Sequence, residues 1–202
     1  MRIIAGTFRS RVLDAPAGLA TRPTSDRMRE TLFNVLAPRI TGASFLDLYA
    51  GSGAVGIEAL SRGASKVTFV ERAAPALKVL RANLTRLGIS EGFRIHSGNV
   101  ASFLRGPRAG AAEFDVVFLD PPYDAAEEYA NALGLLGGGA ASFLAASAVV
   151  IAEHRRKEKL QASYGALERT RILEQGDAAL SFYAAAAATE PQQNTQELDR
   201  MR

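Results

Sequence analysis

From residue 45 to residue 153 the chain alternates short apolar runs with longer stretches in which apolar positions recur every three to four residues. The runs Phe45–Ala50, Lys66–Glu71, Phe93–His96, Phe114–Leu119 and Ala148–Glu153 have the length and composition of buried strands. Between them, Val55–Arg62, Ala73–Leu87, Val100–Leu104 and Ala125–Leu136 carry the spacing of amphipathic helices. This alternation predicts an α/β fold with a doubly wound, mostly parallel sheet. The pattern ends differently: only Gln175-Gly176-Asp177 separates Arg169–Glu174 from Ala178–Ala184. That connection is too short for a crossover, so an antiparallel C-terminal hairpin is expected.

Ahead of the alternation, Arg2–Gly6 and Arg11–Asp14 predict two short strands forming a small hairpin. The stretch Thr21-Arg22-Pro23-Thr24-Ser25-Asp26 offers an extended residue before proline and an N-cap, and Met28, Leu32, Val35 and Leu36 follow at helical spacing, predicting a helix to about Pro38. Residues 1–39 therefore read as an N-terminal hairpin-and-helix extension and residues 40–188 as the main domain. Residues 189–202, without apolar periodicity, read as a disordered tail.

Composition narrows the chemistry. The 202 residues are 48% hydrophobic and 22% charged, as in a soluble globular protein, and no window is long and apolar enough for a membrane span. The start of the chain lacks the pattern of a secretory signal, so a cytoplasmic location is expected. The absence of cysteine excludes disulfides, thiolate metal sites and cysteine nucleophiles, and two histidines, His96 and His154, are too few for a histidine-rich metal site. We expect no metal. Charge is unevenly distributed: residues 1–39 hold seven arginines against three carboxylates, whereas the whole chain is only +3. An excess made entirely of arginine suits phosphate and guanine edges, although a solvated basic face would look the same.

Two motifs carry candidate chemistry. In the first, the strand Phe45–Ala50 runs into Gly51-Ser52-Gly53-Ala54-Val55-Gly56 and then a helix. Such glycines allow close approach of a nucleotide to a helix N-terminus. Glu71 ends the next strand, where a carboxylate accepts hydrogen bonds from ribose hydroxyls. These features fit NAD and S-adenosylmethionine alike. Asp47 tips the choice to S-adenosylmethionine: a carboxylate beside the loop can hold the loop or a methionyl ammonium, but would face a pyrophosphate unfavourably.

The second motif is the strand Asp115–Leu119 continuing into Asp120-Pro121-Pro122-Tyr123. It places a carboxylate and a carbonyl-only backbone at the ligand-binding edge of the sheet. The exocyclic amine of a base is a poor nucleophile because its lone pair is delocalised into the ring. Acceptors at Asp120 and Pro121 can orient that amine towards a methyl donor, with Tyr123 stacked on the base. Asp and Pro also favour ordinary turns, so the second motif gains its meaning from the first.

Together with Arg2–Gly6, Thr21–Asn34, Asp47–Gly53 and Gly176-Asp177, these motifs resemble the bacterial small-subunit (16S) ribosomal RNA guanine-N2 methyltransferases of the RsmD type. The resemblance covers nearly the whole chain except the tail. It implies a class I methyltransferase fold, S-adenosylmethionine as donor, and a guanine of 16S rRNA in a 30S particle or assembly intermediate as acceptor. On that basis Gly51, Ser52 and Gly53 would line the cofactor, Glu71 would take the ribose, and Asp120, Pro121, Pro122 and Tyr123 would hold the guanine. Asn99, followed by Val100, stands where such enzymes often carry an Asp near the adenine amine, and its side-chain oxygen could still accept that amine. Arg2, Arg9, Arg11, Arg22, Thr24 and Arg27 would contact RNA, and the protein is expected to be a monomer. A DNA adenine-N6 or protein glutamine methyltransferase, a non-catalytic RNA-binding assembly factor and an NAD-linked oxidoreductase remain as other readings.

Overall fold

The computed structural model describes residues 1–16, 25–107, 113–122 and 126–186. The alternating pattern forms β1 (Ser44–Leu48), α2 (Ala54–Ser61), β2 (Lys66–Glu71), α3 (Ala74–Leu87), β3 (Phe93–Ser97), α4 (Val100–Arg105), β4 (Phe114–Leu119), α5 (Ala126–Leu136) and β5 (Leu144–Arg155). Helix α1 (Asp26–Leu36) precedes them, and β6 (Ser163–Tyr164), β7 (Leu167–Gln175) and β8 (Ala178–Ala185) follow. They build an eight-stranded sheet in the order β3-β2-β1-β4-β5-β8-β7-β6. The first five strands in that order are parallel, and β8 pairs antiparallel with both β5 and β7.

Alternation along the strands sends successive side chains to opposite faces. Phe45, Val67, Phe69, Val116, Phe118 and Ile151 pack with α1, α2 and α3 on one face. Leu46, Leu48, Val70, Val117, Leu119 and Val150 pack with α4 and α5 on the other. Strand β5 is longer than its apolar run: Leu144 pairs with Phe114, and a register shift follows before Val149 pairs with Val116. The 3-10 turn Ala141–Phe143 and the two-residue β6 have no counterpart in the sequence pattern.

The N-terminal hairpin is present in reduced form, as a single antiparallel bridge between Arg2 and Val12. Its ladder stops because the Ile4 and Ala5 amides point at Glu58 of α2 instead of the opposing segment, at 2.8 and 3.0 Å. Gly6 lies so close to α2 that a Cβ there would sit 1.8 Å from the Ser61 carbonyl oxygen. Helix α1 begins at the expected cap, with the Ser25 hydroxyl accepting from the Met28 N–H at 3.1 Å. The expected disordered tail, 189–202, lies outside the described residues. Among the described residues no helix is long and apolar enough to cross a membrane.

Candidate active site

Strands β1 and β4 are neighbours in the middle of the sheet with Leu48 opposite Leu119, so Tyr49 and Asp120 leave the same edge side by side. The connection from β1 leads to β2 on one side, whereas β4 lies on the other. Doubly wound sheets bind ligands in the crevice this divergence creates.

The first motif leaves β1 through three left-handed residues, Tyr49, Gly51 and Gly53, at φ 63, 56 and 82°. Glycine adopts this region freely, whereas a tyrosine there costs on the order of 1 kcal/mol. The Tyr49 hydroxyl donates to the Glu128 carboxylate on α5 at 2.8 Å, which fixes the turn against the helix that follows the second motif. Burial, with Glu128 adding to it, raises the Tyr49 phenol pKa well above its ordinary value, so it remains a donor. A Cβ built on Gly51 would meet nothing nearer than the Tyr49 carbonyl at 4.0 Å, so this backbone is open to a ligand. Gly56 serves packing instead: a Cβ there would lie 2.3 Å from the Phe69 ring, holding α2 off the sheet.

Glu71, at the end of β2, ties that strand to the glycine loop. Its Oε2 accepts the Gly51 N–H at 2.8 Å, while Oε1 accepts those of Arg72 and Ala73 at 2.8 and 2.7 Å. The carboxylate is thus fixed before any ligand arrives, and the three amides take three of its roughly four acceptor sites, leaving one on Oε2 for a hydroxyl. Ser52 is buried, and its carbonyl accepts from Asn83 at 3.0 Å.

Asp47 is 2% exposed, and its Oδ2 accepts the Gly56 N–H at 2.9 Å. Of the two uses open to it from sequence, the structure places it on the loop-to-helix junction. Burial pushes the Asp47 carboxyl up to about 7, opposed by the Gly56 hydrogen bond and reinforced by the Glu71 charge. A folded-state value above the ordinary 3.8 means that the native protein holds a proton the unfolded chain has released. This carboxyl therefore lowers stability as pH rises from about 4 to about 7, and its contribution is level above that. Asp47→Asn keeps an acceptor for Gly56 and removes the titration. Urea unfolding between pH 4 and 8 should show the variant gaining on the parent by on the order of 3 kcal/mol as pH rises through that window. A pH-independent difference would show that Asp47 ionises normally.

The remaining sequence-predicted residues are distributed as follows. Asp120 is half-buried, Pro121 buried and Pro122 exposed just beyond β4, whereas Tyr123 lies outside the described residues. Asn99 caps α4, accepting the Ser102 N–H at 2.7 Å, and Val100 is buried behind it. The capping bond accounts for Asn at this position without a ligand. Arg2, Arg9, Arg11 and Arg27 are exposed, and Arg22 and Thr24 lie outside the described residues. Of the two histidines, His154 is buried; its Nε2 faces the Ser181 hydroxyl at 2.8 Å and its Nδ1 the Arg155 carbonyl at 2.9 Å. Burial lowers its pKa, which fits a structural imidazole.

One of the seven N-terminal arginines does not belong to a basic surface. Arg29 is fully buried on the inner face of α1, bonded to the Asp26 carboxylate at 2.9 Å and to the Arg2 carbonyl, with its Nε 3.8 Å from Glu58. Glu58, also fully buried, pairs with Arg62 at 2.7 Å as well as holding the Ile4 and Ala5 amides. The signal was available: Arg29 shares a helix face with Phe33 and Leu36 at i+4 and i+7. Asn83 was legible in the same way, one polar residue among the apolar positions Ala76, Leu80, Leu84 and Leu87 of α3. Its side chain, fully buried, donates to the Asp14 and Ser52 carbonyls at 3.1 and 3.0 Å and accepts the Asp14 N–H at 2.9 Å, joining the extension to the glycine loop.

Comparison with known proteins agrees with this arrangement. Residues 1–184 match the family model described as conserved hypothetical protein 95. A Bacillus subtilis protein named "Putative rRNA methyltransferase YlbH" is 36% identical over 91% of this chain and 98% of its own. The Haemophilus influenzae protein named ribosomal RNA small subunit methyltransferase D is 46% identical over 61% of this chain, an alignment spanning 64% of that protein. Among solved structures, an Escherichia coli protein described as "Putative methyltransferase yhhF" superposes with a TM-score of 0.78 at 34% identity, covering 93% of this chain and 98% of that one.

Proposed function

Because the chain belongs to the conserved hypothetical protein 95 family and has the class I methyltransferase fold, we propose that it transfers a methyl group from S-adenosylmethionine to the exocyclic N2 of a guanine in small-subunit ribosomal RNA. Methyl transfer to ribosomal RNA is the activity for which its relatives are named. The observation that carries the reading is the pairing of Leu48 with Leu119, which sets the open Gly51 loop next to Asp120-Pro121-Pro122 on one sheet edge.

The residues fit the cofactor. Glu71, fixed by three backbone amides, would receive a ribose hydroxyl, and the uncrowded Gly51 backbone would face the rest of the nucleoside. When bound, S-adenosylmethionine supplies a methyl group made electrophilic by its sulfonium. The chain binds and orients the acceptor. The Asp120 carboxylate and the Pro121 carbonyl accept the two N–H donors of the guanine amine, which aims the nitrogen lone pair at the methyl donor. Tyr123, which lies outside the described residues, is the proposed stacking partner of the ring, and Asp120 or water takes the proton that the amine releases.

The test is transfer of labelled methyl groups to small ribosomal subunits that lack the modification, followed by mapping of the label. Label at N2 of one guanine is the expected result. Label on an adenine, on a DNA duplex or on a protein glutamine would replace the proposed acceptor. Absence of transfer to any ribosomal particle would remove the catalytic reading.

A further inference from the structure

Strand β5 carries a basic turn that the charge balance of the sequence conceals. Arg155, the last residue of the strand, leads into Arg156-Lys157-Glu158-Lys159, so the five residues hold four cations and one carboxylate. Residues beyond 39 are close to neutral as a group, so this cluster is cancelled by acidic residues elsewhere.

The sheet determines where the cluster emerges. Because β5 is parallel to β4 with Ala152 opposite Leu119, Arg155 lies three residues beyond that pair at the edge that carries Asp120. Adjacent strands are about 5 Å apart, so the turn begins one strand away from the candidate catalytic carboxylate. It also lies on the far side from the glycine loop, since the order along this edge is β2, β1, β4, β5. The cofactor motif occupies the flank of Asp120 at β1, and the turn occupies the flank at β5.

The turn is held in place by its backbone. The Arg155 carbonyl accepts from the Glu158 N–H at 2.9 Å and contacts His154 Nδ1 at 2.9 Å, and the Arg156 N–H donates to the Asp177 carbonyl at 2.8 Å. Glu158 is half-buried, whereas Arg156, Lys157 and Lys159 are exposed and form no ion pair among the described residues. Three such cations on a fixed turn, at the sheet edge that carries Asp120, suit the negative charge of a nucleic-acid backbone.

We infer that the turn at residues 155–159 binds RNA phosphates flanking the target nucleotide. This inference rests on the proposed RNA substrate. Phosphate contacts position the strand without reading its sequence, so the turn contributes affinity and not the choice of base.

The experiment compares Arg156→Gln/Lys157→Gln/Lys159→Gln with a charge-matched control, Lys66→Gln/Arg81→Gln/Arg94→Gln, on other parts of the surface. Binding to protein-free small-subunit RNA and to small subunits is titrated across a salt series, and methyl transfer is followed under the same conditions. The turn variant should weaken RNA binding and raise KM by about ten-fold or more at low salt, with kcat and S-adenosylmethionine affinity unchanged. Its log–log salt slope should fall by about two, at roughly 0.7 for each phosphate no longer neutralised, and the control should change neither. Equal slopes and affinities for the turn variant and the parent would overturn the inference. So would a loss confined to intact subunits with protein-free RNA bound normally, which would assign the turn to a ribosomal protein. Failure of the parent itself to methylate ribosomal RNA is a separate outcome, and it counts against the proposed function.

Discussion

Replacing Asp120 with alanine should reduce the turnover of methyl transfer by about 100- to 1,000-fold while leaving S-adenosylmethionine affinity within about two-fold of the parent. Asp120 follows β4, and the residues that would hold the cofactor, Gly51 in the loop after β1 and Glu71 at the end of β2, are bonded to each other. The substitution therefore removes an acceptor for the amine without touching the cofactor side. If the methyl acceptor is the proposed guanine amine, it depends on those acceptors because its lone pair is otherwise shared with the ring, so the loss falls on kcat more than on KM. Asp120→Asn retains one acceptor oxygen in nearly the same place and should keep more activity than alanine. Single-turnover transfer and equilibrium cofactor binding, measured on the same preparations, separate the two effects. An alanine variant with near-normal turnover would show that Asp120 does not orient the amine.

Glu58→Ala should be among the most destabilising single changes in the chain, by about 3–5 kcal/mol, which for a protein of this size lowers Tm by roughly 10 °C. The carboxylate holds two backbone amides of the N-terminal segment and Arg62, and it faces the Arg29 guanidinium. Without it, Arg29 is a cation in a fully buried position, where burial already pulls its pKa down and Glu58 and Asp26 oppose that pull. Arg29→Met should be less costly than Glu58→Ala, since it leaves the amides satisfied. The double variant should be more stable than the sum of the two losses predicts, because the second change removes the charge stranded by the first. Thermal and urea unfolding of the three variants measure this coupling. Strictly additive losses would mean that Arg29 and Glu58 do not interact.

Much of the architecture was legible because it depends on periodicity. The strand Phe114–Leu119 and its continuation into Asp120-Pro121-Pro122 were readable together, and so was the run from β1 into the glycine loop. What the sequence left open has specific physical causes. Arg27 and Arg29 contribute equally to composition, yet they are two residues apart on α1 and face opposite environments, so a charge count assigns both to the surface. The first part of β5, residues 144–147, is rich in alanine and serine and poor in the β-branched and aromatic residues that mark a strand, and Leu144 pairs there with Phe114 of β4. Asp47 sits in the strand ahead of the loop, but which group it touches depends on the path of the chain after Gly53. The basic turn after β5 acquires meaning only from strand order, which places it next to Asp120.

The bonds that hold the N-terminal extension reach forward along the chain, from Ile4 and Ala5 to Glu58, from Asp14 to Asn83 and from Thr31 to Gln175. During synthesis, at about 5–20 residues per second, this arginine-rich segment therefore leaves the ribosome several seconds before the residues that complete its structure. A fragment ending before Glu58 would lack every one of those anchors. The extension is consequently not a module that could be cut out and expressed for RNA binding, and its shape is acquired only as part of the catalytic domain.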